Sequence, residues 1–297
     1  MNDTSGIDPR AALTQALFAR FGEHLAVPSD LEGLPELLQI ATWSTHRSWS
    51  DRPVGPELIR LLAACALSAP SKSYLQQADI VDVRDPAQRE RVQALVPSMP
   101  WMSQAPALLV FCGNGRRFRR LFERAGQPFT NEHLDGLFNP AIDGALVMMN
   151  FMRAAAAVGM VCCPISVLRD EAQALADILQ MPPHVFPIAG LCVGFPAQAQ
   201  SVNPRLGLQA SFHTDRYERD AQGSATAVGD HAVDAAIDAA VDAYDQRYVS
   251  VRASRLPPEV AAAKPPMSWS QEKLRQYAQA QRDDWGDFLR AQGFDTR

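Results

Sequence analysis

The stretch Ala141-Ile142-Asp143-Gly144-Ala145-Leu146-Val147-Met148-Met149-Asn150-Phe151-Met152-Arg153-Ala154-Ala155-Ala156-Ala157-Val158 reads as a helix apolar on nearly every side. Ile142, Ala145, Leu146 and Met149 share one face, while Val147, Met148, Phe151, Ala155 and Val158 make the opposite side apolar too. Such a helix is covered all round. It is either the central helix of the core or one shared with a second subunit. Gly159 stops it.

Working outward, Ile80 to Val83, Leu108 to Cys112, Val161 to Ile165 and Ile188 to Val193 read as strands. Helices fall at Pro86 to Leu95 and Asp170 to Leu179 between them. Three more helices precede the first strand. Pro9 to Gly22 reads as a loosely attached extension, and Leu31 to Trp43 follows it. Gly55-Pro56 opens the third, with Leu58, Leu61, Leu62 and Cys65 as its buried face. Past Pro196 come a polar connector, an extended arm at Phe212 to Tyr217 and a Gly/Ala/Ser-rich linker at Gln222 to Asp230. An alanine-rich helix (Val233 to Tyr244), a proline-studded loop (Pro257 to Pro266) and a closing helix (Gln271 to Ala291) complete the chain. This order argues for an α+β layered domain, not a doubly wound sheet. The expected segments are a helical extension (1–30), a core (31–217) and a C-terminal arm with helices (218–297).

Composition narrows the function. The 297 residues carry a net charge of −5, which gives no general attraction to nucleic acid or anionic membrane. The five cysteines show no metal-finger or redox spacing and the six histidines no paired-ligand motif, so no metal site is expected. Reduced thiols suit a cytoplasmic protein. No stretch offers the roughly 18 uncharged apolar residues of a membrane span.

Two segments carry candidate chemistry. In Thr45-His46-Arg47-Ser48, Arg47 offers a forked, permanent cation suited to a phosphate or to the electron-rich edge of a reduced ring. In Ala69-Pro70-Ser71-Lys72-Ser73-Tyr74-Leu75-Gln76, Pro70 ends a helix and leaves N–H and hydroxyl groups free for a ligand. The bland alternatives are a helix cap and an ordinary polar turn.

With these segments in place the chain resembles the FMN-dependent nitroreductase family, in its oxygen-insensitive NADPH nitroreductase and flavin reductase branch. The likeness runs through His46-Arg47-Ser48, Asp51-Arg52-Pro53-Val54, Ser71 to Gln77, Asp143 to Gly159 and Pro164-Ile165-Ser166. It continues through Gly190 to Pro196, Pro204-Arg205-Leu206 and the tail Trp269 to Phe294. The resemblance implies an intertwined homodimer with a mainly antiparallel sheet, a C-terminal arm and FMN at the subunit interface. It implies cofactor contacts from His46, Arg47, Ser48, Ser50, Ser71, Lys72, Ser73, Pro164, Ile165, Ser166, Val167, Asn203 and Arg205, with Arg205 on the phosphate. Hydride would pass from NADPH or NADH through FMN to a nitroaromatic, quinone or flavin, with no catalytic side chain.

The sequence departs from that pattern. Ser50 stands where a second basic residue is usual, Met99 replaces a flavin-contacting Gln, Ser166-Val167 replaces Gly-Gly, and Asn203 replaces Lys. Pro265-Pro266 replaces arginines that engage NADPH, leaving only Lys264 nearby. The alternatives are therefore a metabolite-specific FMN enzyme with little NAD(P)H use, or a flavin-binding protein without turnover.

Three further features invite chemistry. Cys162-Cys163 reads as inert packing. Arg116-Arg117-Phe118-Arg119-Arg120 reads as a solvated helix face, with a nucleotide 2′-phosphate or nucleic acid as the sharper alternatives. His213 reads as structural, and Gly113-Asn114-Gly115 lacks the third glycine of a dinucleotide loop.

Overall fold

The computed structural model describes residues 8–215 and 231–296. Two compact units emerge, one from Met1–Ser44 with Ser201–Ala280, the other from Thr45–Gln200 with Gln281–Arg297. Compactness thus cuts the chain at other places than the expected segment ends at 30 and 217.

The second unit is built on four antiparallel strands, β1 (Ala78–Asp82), β2 (Ala107–Asn114), β3 (Val161–Ile165) and β4 (Val185–Gly194), in the order β1-β2-β4-β3. All eight residues of β2 are buried, as its unbroken apolar run requires of a central strand covered on both faces. Its even positions Leu108, Val110 and Cys112 join a core with Val92 of α4 (Pro86–Ala94) and Leu175 of α7 (Ala172–Leu179). On the other face Phe111 meets Phe151 of α6 (Asp135–Ala157) edge to face at 5.7 Å. Gly144 makes the close approach of α6 possible: a Cβ there would lie 3.2 Å from the Cys112 carbonyl oxygen.

The buried residues of α6 are Gly136, Pro140, Asp143, Gly144, Val147, Phe151, Met152 and Ala155, one face at helical spacing. The opposite stripe, Leu134, Phe138, Ile142, Leu146 and Met149, is exposed, Phe138 by 59%. The expectation of a helix covered on all sides therefore fails within one chain. Two apolar arcs are present, and the sheet covers only one. Packed beside α6 is α3 (Pro56–Leu67), where Asn150 donates from Nδ2 to the Cys65 carbonyl at 2.8 Å. Ile59, Leu62 and Ala66 form its buried face; Leu61 and Cys65, expected inside, are exposed.

In the first unit α1 (Pro9–Phe21) packs on α2 (Leu34–Ala41) through Leu13, Ala16 and Ala41. It is no loose extension. Gly33, in the left-handed region, starts α2 later than expected. A helix α8 (His231–Ala253) runs past the expected Tyr244, and the proline-studded loop contains a short α9 (Pro258–Ala263). The expected closing helix is two, α10 (Trp269–Tyr277) in the first unit and α11 (Trp285–Ala291) in the second, with Arg282 at φ 55° between them. The remaining helix, α5 (Arg116–Arg124), follows β2. No strand forms at 212–215; the rest of the expected arm and the 222–230 linker lie outside the described residues.

Candidate functional site

Residues 45–50 form an extended ribbon pinned at both ends. The His46 N–H donates to the Cys162 carbonyl of β3 at 3.2 Å, and the Ser50 N–H to the Phe195 carbonyl at 2.9 Å. Trp49 bridges Pro196. Alternation along the ribbon buries His46 and leaves Arg47 exposed. The Arg47 guanidinium lies 5.8 Å from the Trp101 ring and close enough to the Cys163 thiol of β3 to pull its pKa down against burial. The ribbon is thereby set against Cys162 and Cys163 of β3, which lead into Pro164–Val167. Pro164 sits on the edge strand, where a missing N–H costs no ladder bond. Ser166 is exposed and opens a 3₁₀ turn, Ser166–Glu171.

Burial holds the His46 imidazole below its ordinary value, and burial foremost does the same to His184. The unfolded chain then binds more protons, so the stability these groups contribute is complete above about pH 6.5 and falls as the pH drops below it. The urea midpoint is expected to decrease between about pH 7 and about pH 5. An asparagine at position 46 should flatten part of that slope.

The Ser71–Gln77 loop is held elsewhere. Its backbone is unusual: Ser73, Tyr74 and Gln76 all have positive φ, between 50° and 58°. What sustains this conformation is Asp143 of α6, only 1% exposed, whose Oδ1 accepts the Lys72 N–H at 2.9 Å and whose Oδ2 accepts the Gln77 N–H at 3.0 Å. The Ser71 hydroxyl accepts the Gln76 N–H at 2.9 Å, and Arg117 donates to the Gln76 carbonyl. Lys72 and Ser73 stay exposed, and Ser71 and Asp143 line a cavity of about 500 Å³ with Leu67, Tyr74 and Phe118. The sequence assigned Asp143 no role. A lone acid inside an apolar helix was the available signal.

Asn203 and Arg205 belong to the first unit and Arg47 to the second. Asn203 accepts from Arg255 Nη1 through Oδ1 at 2.8 Å, and the Arg205 side chain is exposed. Ser50 turns its hydroxyl to the Phe195 carbonyl at 3.5 Å, and Met99 packs on the core.

The basic run is mostly spent within the fold. Arg117 pairs with Asp79, Arg119 with Glu132 and Arg120 with Glu123. Such pairs favour the bland reading over a phosphate or nucleic-acid patch. Cys112, Cys162, Cys163 and Cys192 are buried. Burial pushes the Cys163 thiol up to about 11, against the pull of Arg47, and the Cys112 and Cys192 thiols up to about 12. A thiol reagent near neutral pH is therefore expected to label exposed Cys65 alone in the native protein, and all five cysteines in denaturant. A second fast thiol would contradict the packing.

Among the described residues no cluster of metal-ligating side chains occurs, and no helix is long and apolar enough to cross a membrane. Comparison with known proteins gives consistent matches. The model of the nitroreductase family matches residues 40–195, and that of the nitroreductase family, C-terminal domain, residues 203–297. An FMN reductase (NAD(P)H) of Bacillus subtilis is 32% identical over 174 residues, 58% of this chain and 70% of the relative. An oxygen-insensitive NADPH nitroreductase of Salmonella typhimurium is 30% identical over 176 residues, 58% of this chain and 72% of the relative. A solved nitroreductase structure from Bacillus subtilis superposes with a TM-score of 0.77 at 26% identity, covering 88% of this chain and 99% of that one.

Proposed function

This chain belongs to the nitroreductase family, and from that premise we propose that it is an FMN-dependent oxidoreductase using NAD(P)H. Its acceptors are of the nitroaromatic, quinone or flavin class. The observation that carries the reading is the pinned ribbon that leaves Arg47 as an exposed cation near Cys163 of β3, the strand that leads into Pro164–Val167.

The donor set fits FMN. Arg47 and Arg205 supply forked cations for a phosphate or an electron-rich ring edge, and Ser71 and Ser73 supply hydroxyls for a ribityl chain. His46, Ser48, Ser50, Lys72 and Asn203 are proposed to complete these contacts, with backbone groups of Pro164, Ile165, Ser166 and Val167 beside the ring. Bound FMN supplies the hydride chemistry. The chain's own residues bind, orient and tune. Arg47 contributes fixed positive charge, and the pinned ribbon keeps it in place without reorganisation. No side chain is asked to act as acid, base or nucleophile.

The exposed apolar stripe of α6 supports a homodimer, since so large a patch is seldom left to solvent. Segment 31–217 would carry FMN and 218–297 pack on the core or the partner subunit. Reduced, buried thiols suit a cytoplasmic protein.

Charge-assisted hydrogen bonds contribute about 1.5–3 kcal/mol each. An Arg47→Ala variant is accordingly expected to bind FMN about 10- to 150-fold more weakly by flavin fluorescence, while Arg120→Ala binds like the parent. Anaerobic bleaching of the FMN-loaded protein by NADPH or NADH tests the function. A flavin that stays oxidised with both would refute it, and bleaching by a metabolite alone would favour a metabolite-specific enzyme.

A further inference from the structure

Helix α1 lies outside both family matches, which begin at residues 40 and 203. Within the first unit it nonetheless grips the segment Asn203-Pro204-Arg205. Arg20 Nη1 donates to the Asn203 carbonyl at 2.9 Å, and the Arg205 N–H donates to the Arg20 carbonyl at 2.6 Å. The Tyr244 hydroxyl donates to the Pro204 carbonyl at 3.3 Å and Arg247 Nη2 to the Arg205 carbonyl at 2.8 Å. With the Arg255 bond to Asn203, every backbone carbonyl of the segment and the Asn203 side chain are held. Arg205 is exposed, and its guanidinium makes only a long contact, from Nη1 to the Pro204 carbonyl at 3.5 Å.

Arg20 itself is only 7% exposed. Its remaining N–H groups donate to the carbonyls of Ala41, at 3.2 and 2.8 Å, and Trp43, at 2.6 Å. Burial foremost and then the neighbouring Arg205 cation push its pKa down, and no carboxylate among the described residues opposes them. Arg247 joins the same place: a side chain at Gly22, the left-handed cap of α1, would meet its guanidinium. Arginines 20, 247 and 255 thus surround a three-residue segment that itself ends in Arg205; all three donate to its carbonyl or amide oxygens, and Arg247 Nη1 is buried without a hydrogen-bond partner among the described residues. Gathering like charges in this way costs free energy that a bound anion would return.

We propose that α1 is part of an anion site, in which Arg20 positions Asn203–Arg205 and supplies buried positive charge so that Arg205 meets a phosphate monoester. This rests on the FMN reading above, with the FMN phosphate as the ligand group. Arg20 is a positioning residue; Arg205 makes the contact.

The test compares FMN with riboflavin, which lacks the phosphate. Dissociation constants for both are measured by flavin fluorescence on the parent, Arg20→Gln and Arg20→Lys, with folding checked by circular dichroism and thermal unfolding. The parent is expected to prefer FMN. In Arg20→Gln the FMN constant should rise about tenfold or more, as for loss of one charged hydrogen-bonding group, with the riboflavin constant unchanged. Arg20→Lys, which keeps the charge but not the fork, should fall between. A folded Arg20→Gln with the parent's preference would overturn the proposal. If Arg20→Gln does not fold, Arg20→Lys decides: equal weakening of both flavins means a purely structural arginine. A parent that binds neither flavin would instead sink the FMN reading and this one with it. A parent that binds both flavins equally overturns this one alone.

Discussion

Asp143→Ala is expected to destabilise the protein by about 2–6 kcal/mol and to collapse its affinity for FMN. The carboxylate is buried, and each oxygen takes one backbone N–H from the Ser71–Gln77 loop. Removing it strands two donors, each costing about 1–3 kcal/mol. It also releases a loop with three non-glycine residues at positive φ, a conformation that persists only while its surroundings impose it. Asp143→Asn keeps the shape but turns an amide NH₂ toward one donor, so roughly half of the loss is expected. Urea unfolding of the apoprotein measures the first effect and limited proteolysis at the loop the second. An alanine variant within about 0.5 kcal/mol of the parent would show that the loop holds itself.

The second large effect is expected at Leu146. This residue lies mid-stripe on the exposed arc of α6, between Ile142 and Met149, and is 41% exposed in a single chain. Leu146→Asp should leave the fold of one chain intact, because the residue is not among the buried packing of α6 on the sheet. In a dimer sealed by this face, an unpaired carboxylate would be buried at a cost of several kcal/mol. About 4 kcal/mol corresponds to roughly a 1000-fold weaker association. Light scattering after size exclusion should give a monomer for the variant and a dimer for the parent. A variant that remains dimeric at low concentration would place the interface elsewhere.

Much of the architecture was legible because it follows from pattern. The run Leu108 to Cys112 read as a strand, which the structure shows covered on both faces, and Pro56 and Pro86 open helices where proline is favoured. The α6 helix was legible as an element but not in its orientation. Both arcs are apolar, and only Gly144 and Asp143, one for closeness and one for its two amides, distinguish the arc that meets the sheet. The split between α10 and α11 was hidden because Leu274, Tyr277, Trp285 and Phe288 keep one helical register on either side of 278–284, where Arg282 takes a left-handed backbone.

The candidate site divides the same way. Arg47 was recognisable as a candidate from its type and neighbours, and the ribbon leaves it exposed. Asp143 and Arg20 were not, since their work is to hold other backbones, and such partners lie far off in sequence. Arg20 in particular reads as one polar residue in an amphipathic helix until the carbonyls of Ala41, Trp43 and Asn203 are seen around it.

The account's central claim, FMN held by this chain in a homodimer, is tested most directly by sedimentation velocity of the FMN-loaded protein recorded at the visible flavin absorbance. The expected result is a single coloured boundary at the mass of two chains carrying one flavin per chain. Colour left behind as free flavin above a monomer boundary would contradict it.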